Sequence, residues 1–331
     1  MSSPANTAPL AIDQALVYTW PLYEMRRMRA ATSPLRVADA GAAPEGQRWC
    51  NVFTHARKLL RAGESRVVTP NNDTLYTNAW LDLSAGPLVL QVPDTAGRYY
   101  VLGFLDFFTN PFAHVGQRLT GTAARRFFVT GPGWQGEVPA EFRAPGAHIQ
   151  SPTDWVWIIG RIYVNGNDDI PHVNALQDGF ALTLPDGRPA RRPFTPGIDP
   201  KAPATGQQVL TQVNAALADN PPPPEDAALL APWAALGVAA GAAPTPAQCA
   251  GVDEALPRVL ALLRQAGDAS ADANAAPTDG AGGAWSSMPL VQGSFGRNHL
   301  LRARVALQYI GMLESAEAMY PMSRRDGGGG R

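Results

Sequence analysis

From residue 65 to about residue 185 the chain is a succession of short β-rich runs divided by proline and glycine, and this texture limits the fold more than any other feature. The runs cover 66–69, 75–83, 88–92, 99–105, 111–115, 126–130 and 155–164. Between them stand Ala85-Gly86-Pro87, Asp94-Thr95-Ala96-Gly97 and Gly131-Pro132-Gly133. Apolar β-formers bounded by turn-formers read as strands. A parallel pair needs a long crossover connection, and these gaps are too short for crossover helices. The spacing therefore predicts a largely antiparallel β-sandwich.

Helical patterns flank this core. Ala15, Leu16, Tyr18, Trp20, Leu22, Tyr23 and Met25 predict a helix over 12–29, kinked or split at Pro21. Residues 168–180 predict a second helix, and 188–205 read as a linker rich in Pro, Arg and Gly. Further helices are expected over 207–217, 225–238 and 252–265, with 221–224 as a stiff polyproline connector. Residues 268–283 read as a mobile loop, 297–320 as a closing helix with Gly311 its weak point, and 326–331 as a fraying end. The organisation expected is thus mainly β with α: an N-terminal helical segment (1–60), a β-sandwich core (61–190) and a helical subdomain with flexible loops (191–331).

Composition narrows the function classes. Hydrophobic residues make up 45% of the chain, enough for a substantial core. The net charge is −1 and the pI about 6.5, without the basic excess of a nucleic-acid binder, so no nucleic-acid partner is expected. No apolar run of about 18 residues is present, so no membrane span is expected. No secretory signal pattern opens the sequence, and Cys50 and Cys249 belong to no CxxC or Cys/His cluster. Together these features point to a cytoplasmic setting with free thiols.

The densest polar cluster is Thr69-Pro70-Asn71-Asn72-Asp73-Thr74-Leu75-Tyr76. It reads as an Asx turn feeding a strand. It also reads as a strand end that offers Asp73 and Tyr76 to a pocket. Two charged residues stand in apolar runs and need partners. Asp106 lies between Val101-Leu102-Gly103-Phe104-Leu105 and Phe107-Phe108, and Arg161 lies within Trp157-Ile158-Ile159-Gly160-Arg161-Ile162-Tyr163. A buried Arg–Asp pair that fixes strand register would explain both. The functional alternative has Arg161 anchor a carboxylate or oxyanion, with Asp73 or Asp106 as base and Tyr76 as hydrogen-bond donor. Trp157, with neighbouring aromatics such as Tyr99, Phe104 and Phe107, lines either a ligand cavity or simply the core. Asn51 and His55, just before the β-rich region, are candidates for the same cavity. No HxH or HExxH spacing, GxSxG elbow or phosphate-binding glycine loop occurs, so neither a metal nor a cofactor is expected.

The ordered series of motifs carries a resemblance. Asn71-Asn72-Asp73-Thr74-Leu75-Tyr76 is followed by Ala79-Trp80-Leu81-Asp82-Leu83, Val92-Pro93-Asp94 and Gly97-Arg98-Tyr99-Tyr100. Leu105-Asp106 with Thr109-Asn110, Val115-Gly116 with Arg118, Gly131-Pro132-Gly133-Trp134, and Ser151-Pro152-Thr153 with Trp157 and Arg161 come next. Over about 11–180 this resembles the domain-of-unknown-function family numbered 1254. The later run with Leu301-Arg302-Ala303, Gly311 and Tyr320-Pro321 is similar to the helical stretch of those proteins. The resemblance implies an immunoglobulin-like β-sandwich with a helical C-terminal subdomain. It also implies a second β domain, of the family numbered 1214, into which this sequence does not continue. A short form and a site completed by a second subunit are both left open.

The function expected is action on a small, partly apolar molecule by a cofactor-independent acid/base enzyme of lyase, hydrolase or cyclase type. Asp73, Tyr76, Asp106 and Arg161 are the catalytic candidates, and Asn51, His55, Asn71, Trp80 and Trp157 the substrate-binding ones. The alternatives are a non-catalytic small-ligand binding protein and an interaction module that docks a second β domain or another subunit, with a homo-oligomer left open.

Overall fold

Side-chain alternation along the longest strands decides how the layers stack. The computed structural model describes residues 10–60, 71–265, 285–287, 293–318 and 320–323, with backbone alone at 285–287 and 321–323. The expected strand over 66–69, the loop over 268–283 and the tail over 326–331 lie outside the described residues. In chain order the strands are β1 (Phe53–His55), β2 (Thr74–Asp82), β3 (Leu88–Val92), β4 (Tyr100–Leu105), β5 (Pro111–Gly116), β6 (Arg125–Thr130), β7 (His148–Gln150), β8 (Trp155–Tyr163) and β9 (Ala181–Thr183). The other six expected strands match β2 to β6 and β8 to within one residue at each end.

Five strands form one sheet in the order β1-β2-β8-β4-β5, and four form another in the order β7-β6-β3-β9. Pairing is antiparallel except between β7 and β6, which run parallel. Odd positions of β2 (Leu75, Ala79, Leu81) and even positions of β8 (Val156, Ile158, Ile162) join Leu88, Leu90, Phe127 and Val129 of the second sheet in one apolar core. The opposite face of the five-stranded sheet carries Trp80, Trp157, Ile159, Val101 and Leu105, which share a second core with the helices. Both faces are covered, so β8 is buried from Trp155 through Ile162. The molecule is thus mixed α and β, with mostly antiparallel sheets.

The helical layer draws on both ends of the chain. Helix α1 (Ala11–Thr32) packs on α3 (Gly206–Asp219), α4 (Pro246–Arg264) and α5 (His299–Gln308); α2 (Ile170–Gln177) caps the sheet edge near β1. α1 runs unbroken through Pro21. Proline cannot donate to the carbonyl four residues back, but Leu16, Trp20, Tyr23 and Met25 are buried on several sides and hold the helix in place. No described helix is long and apolar enough to cross a membrane.

Three expectations are corrected. Residues 225–238 are not one helix but a 3-10 turn (Pro224–Asp226), a four-residue helix (Ala227–Leu230) and a second 3-10 stretch (Ala231–Leu236), ended by Gly237 at φ 96°. Pro232, inside the expected helix, withholds the donor that the Ala228 carbonyl would take in a regular helix. The linker over 188–205 is stitched to the body, because Arg192–Phe194 pairs antiparallel with Arg48–Cys50. The closing helix stops at Gln308. Gly311 then takes φ 87°, and 311–318 with Tyr320 returns as a non-helical strap across the exposed end of the helix-facing sheet surface.

Candidate functional site around Arg161

Register sets the site. Arg161 pairs with Tyr76 on one side and Val101 on the other; the next row on that face is Asn78, Ile159, Gly103 and His114. Side chains two apart on a strand share a face, so Arg161, Tyr76, Asn78 and His114 all look toward the strap. Arg161 is only 8% exposed. Its Nη2 donates to the Tyr320 hydroxyl at 3.0 Å, and its guanidinium carbon lies 5.8 Å from both the Tyr76 and the Tyr320 ring centroids. Nη1 has no hydrogen-bond partner among the described residues. Burial alone would weaken its hold on the proton, but the phenols of Tyr320 and Tyr76 outweigh that and the net direction is up. The group is a charged fork with one tine unused.

Beside it lies a second polar knot. The Tyr99 hydroxyl donates to Glu317 Oε1 at 3.0 Å, and Arg118 Nε donates to Glu317 Oε2 at 2.5 Å. Burial, then the neighbouring Glu317 carboxylate, pushes the Tyr99 phenol up, so it acts as a donor. His114 is buried, and burial pulls its imidazole down; its Nε2 and Asn78 Oδ1 also lack partners among the described residues. This end of the sheet therefore presents two cationic donors, three phenols and spare hydrogen-bonding capacity on a wall of Trp157 and Ile159.

The sequence candidates divide between this site and structural work. Arg161 and Tyr76 meet as expected. Arg161's partner is a tyrosine rather than an aspartate. Asp73 is exposed, and its recorded bond is through its carbonyl, which accepts from Val164 N. Asp106 sits five residues along β4 from Val101, about 17 Å away at strand spacing. There its carboxylate closes a turn, accepting from Phe108 N at 2.9 Å, Asn110 N at 2.8 Å and Asn110 Nδ2 at 2.9 Å. Desolvation raises its pKa despite these donors.

Asn51, at φ 56°, mimics a strand: Asp82 N donates to its Oδ1 at 2.7 Å and its Nδ2 donates to the Asp82 carbonyl at 3.2 Å. Asn71 is exposed and its Nδ2 donates to Thr74 Oγ1. His55 pairs in register with Thr77, on the opposite face from Arg161, and its Nδ1 lies 3.1 Å from Thr77 Oγ1. Burial, aided by Arg57, pulls it down to about 4. Trp80 stacks on Trp157 with centroids 5.2 Å apart, and its Nε1 donates to Thr32 Oγ1 at 2.8 Å. That stack is the floor of the helical core, with Trp157 reaching Gly311 at the start of the strap.

Sequence reasoning named Tyr99 only as one of the aromatics that line a cavity or the core, and missed His114, Arg118, Glu317 and Tyr320 as site residues. Tyr99 and Arg118 stood inside the quoted motifs, and their polarity beside strand ends was the available signal, whereas Tyr320 stood in a motif read as the end of a helix. Glu317 offered none. Among the described residues no three His, Cys, Asp or Glu side chains gather as a metal-binding set.

Comparisons place this architecture among known proteins. The chain is similar to the crystal structure of the VPA0106 protein from Vibrio parahaemolyticus, with 21% identity, a TM-score of 0.64, and coverage of 92% of this chain and 68% of that one. At that identity the likeness shows the fold alone. A search of curated proteins finds no match. A family model described as "Protein of unknown function (DUF1254)" matches residues 50–184, the stretch that holds both sheets and Arg161. Residues 50–184 therefore match the model of the family numbered 1254, the one that the motifs resemble.

Proposed function

We propose that this chain binds a small organic anion, with Arg161 as its anchor and Tyr76 and the Trp157–Ile159 wall taking the apolar part. One observation carries the reading: a buried guanidinium faces phenols instead of a carboxylate and keeps Nη1 free of partners among the described residues. A planar carboxylate can engage both guanidinium nitrogens at once. Proton transfer by Asp73 or Asp106 gains no support from their positions; a catalytic version of the reading would turn to His114 or Glu317. The two sheets are read as an immunoglobulin-like β-sandwich, which their shared apolar core and antiparallel pairing support. A cytoplasmic setting suits the buried free thiols of Cys50 and Cys249.

Thermal melting with benzoate and with neutral benzamide tests the proposal. Benzoate is expected to raise the melting temperature of the wild-type chain, benzamide to leave it unchanged, and Arg161→Met to abolish the benzoate effect. Equal shifts by benzoate in the wild type and Arg161→Met would remove Arg161 from the role.

A further inference from the structure

The strap of 311–318 and Tyr320 lies directly over Arg161 and Tyr99. The two open hollows lined by Gly197 and its neighbours do not reach Arg161. Tyr320 places a phenol oxygen where two donors converge, Arg161 Nη2 at 3.0 Å and Leu313 N at 3.2 Å. Glu317, its side chain 3% exposed, places a carboxylate between Arg118 and Tyr99. The strap thus supplies an arene, an acceptor oxygen and a carboxylate to cationic and phenolic groups fixed on the sheet.

The seat of the strap is shaped for close approach and for release. Leu313 lies against Gly103, where any Cβ would collide with it, and Gly311 lies against Trp157 and Ile159 in a left-handed conformation. Met312 N donates to the Tyr309 carbonyl at the end of α5, Glu317 N and Ala318 N donate to the Glu314 carbonyl within the segment, and Ser294 Oγ donates to Glu314 Oε1 from the loop before α5. Lifting it would leave every ladder of the five-stranded sheet intact. Its hold on Arg161 is also incomplete, because one phenol oxygen serves one nitrogen and leaves Nη1 without a partner among the described residues.

We infer that the strap of 311–318 and Tyr320 is a built-in competitor for the Arg161 site, and that the ligand it gives way to is an aryl carboxylate. The inference rests on the reading of Arg161 as an anion anchor. An aryl carboxylate reproduces what Tyr320 offers, a flat ring beside the guanidinium, and adds the second oxygen that Nη1 lacks. An intramolecular occupant lowers apparent affinity by the fraction of time that the site is free.

Calorimetric titration with benzoate on the wild type, Tyr320→Ala and Arg161→Met separates the two claims. Tyr320→Ala is expected to bind about tenfold tighter than the wild type, as when the strap sits on the site about nine-tenths of the time. Arg161→Met is expected to lose binding. Weaker or unchanged binding by Tyr320→Ala, with Arg161 still required, would overturn the competitor and leave the anchor standing. Absence of binding in both the wild type and Tyr320→Ala, or binding that survives Arg161→Met, would overturn the anchor itself. Hydrogen exchange on the unmutated chain covers the case in which Tyr320→Ala fails to fold. Benzoate is expected to speed exchange of the 312–318 amides, and slower exchange would show a clamp instead of a competitor.

Discussion

Arg161 and Tyr320 stand 159 positions apart in the chain, yet the guanidinium of one donates to the hydroxyl of the other at 3.0 Å. This contact ties the middle strand of the larger sheet to the end of the described chain. It also explains how an arginine can be 8% exposed with no carboxylate paired to it among the described residues. Its neighbours are acceptor oxygens and aromatic faces, which satisfy part of a guanidinium at modest electrostatic cost.

Asp106 and Arg161 should respond to substitution in different currencies. Asp106→Asn replaces an acceptor-only carboxylate with a group that puts an amide nitrogen opposite Asn110 Nδ2 or the Phe108 and Asn110 backbone donors. It is expected to lower stability by about 1–3 kcal/mol in urea denaturation while leaving benzoate affinity unchanged. An affinity loss matching that of Arg161→Met would place Asp106 in the site after all.

Asn51→Ala is expected to cost about 3 kcal/mol. It strips both side-chain bonds from the buried Asp82 backbone and asks alanine to hold φ 56°. Asn51→Gly relieves only the backbone strain and should recover about 1 kcal/mol of that loss, as measured by chemical denaturation. Identical stabilities for the two variants would show that backbone conformation contributes nothing at this position.

The pH dependence of stability carries the signature of His55. Its folded pKa of about 4 lies below the ordinary value of 6.5, so the unfolded chain takes up the proton first as pH falls. Stability from this group is present above pH 6.5 and is lost as pH falls toward 4, by at most about 3 kcal/mol. Glu24, raised to about 6 by burial, works in the opposite sense but is common to wild type and variant. The gap between wild type and His55→Gln should therefore narrow from pH 7.5 to pH 4.5, and a constant gap would show that His55 keeps its ordinary affinity in the fold.

Much of the architecture is legible from local pattern. Runs such as Leu88–Val92 are bounded by Gly86-Pro87 and Pro93-Asp94, so turn chemistry marks both ends. β7 escapes notice because three residues carry no periodicity, and its parallel pairing with β6 follows from the long return over 131–147, which passes through the 3-10 turn Ala140–Phe142. The residues 309–320 mislead because their apolar spacing continues that of α5, whereas Gly311 and contacts with Trp157 turn the chain onto the sheet. Half the site is visible for the same reason: Arg161 and Tyr76 are conspicuous on their own strands. Glu317 and Tyr320 gain meaning only from the fold, since nothing near them in the chain shows what they will touch.

The most direct measurement is the arginine side-chain NMR spectrum, with Nε labelled by nitrogen-15 and the Arg161 signal assigned by its loss in Arg161→Lys. Arg26, Arg29 and Arg302 are also buried and serve as internal references. On addition of benzoate the expected result is a shift of the Arg161 signal that saturates, while those of the other three stay in place. An Arg161 signal unmoved at saturating benzoate, or one that shifts no more than Arg29 and Arg302, would contradict the assignment of Arg161 as the anion anchor.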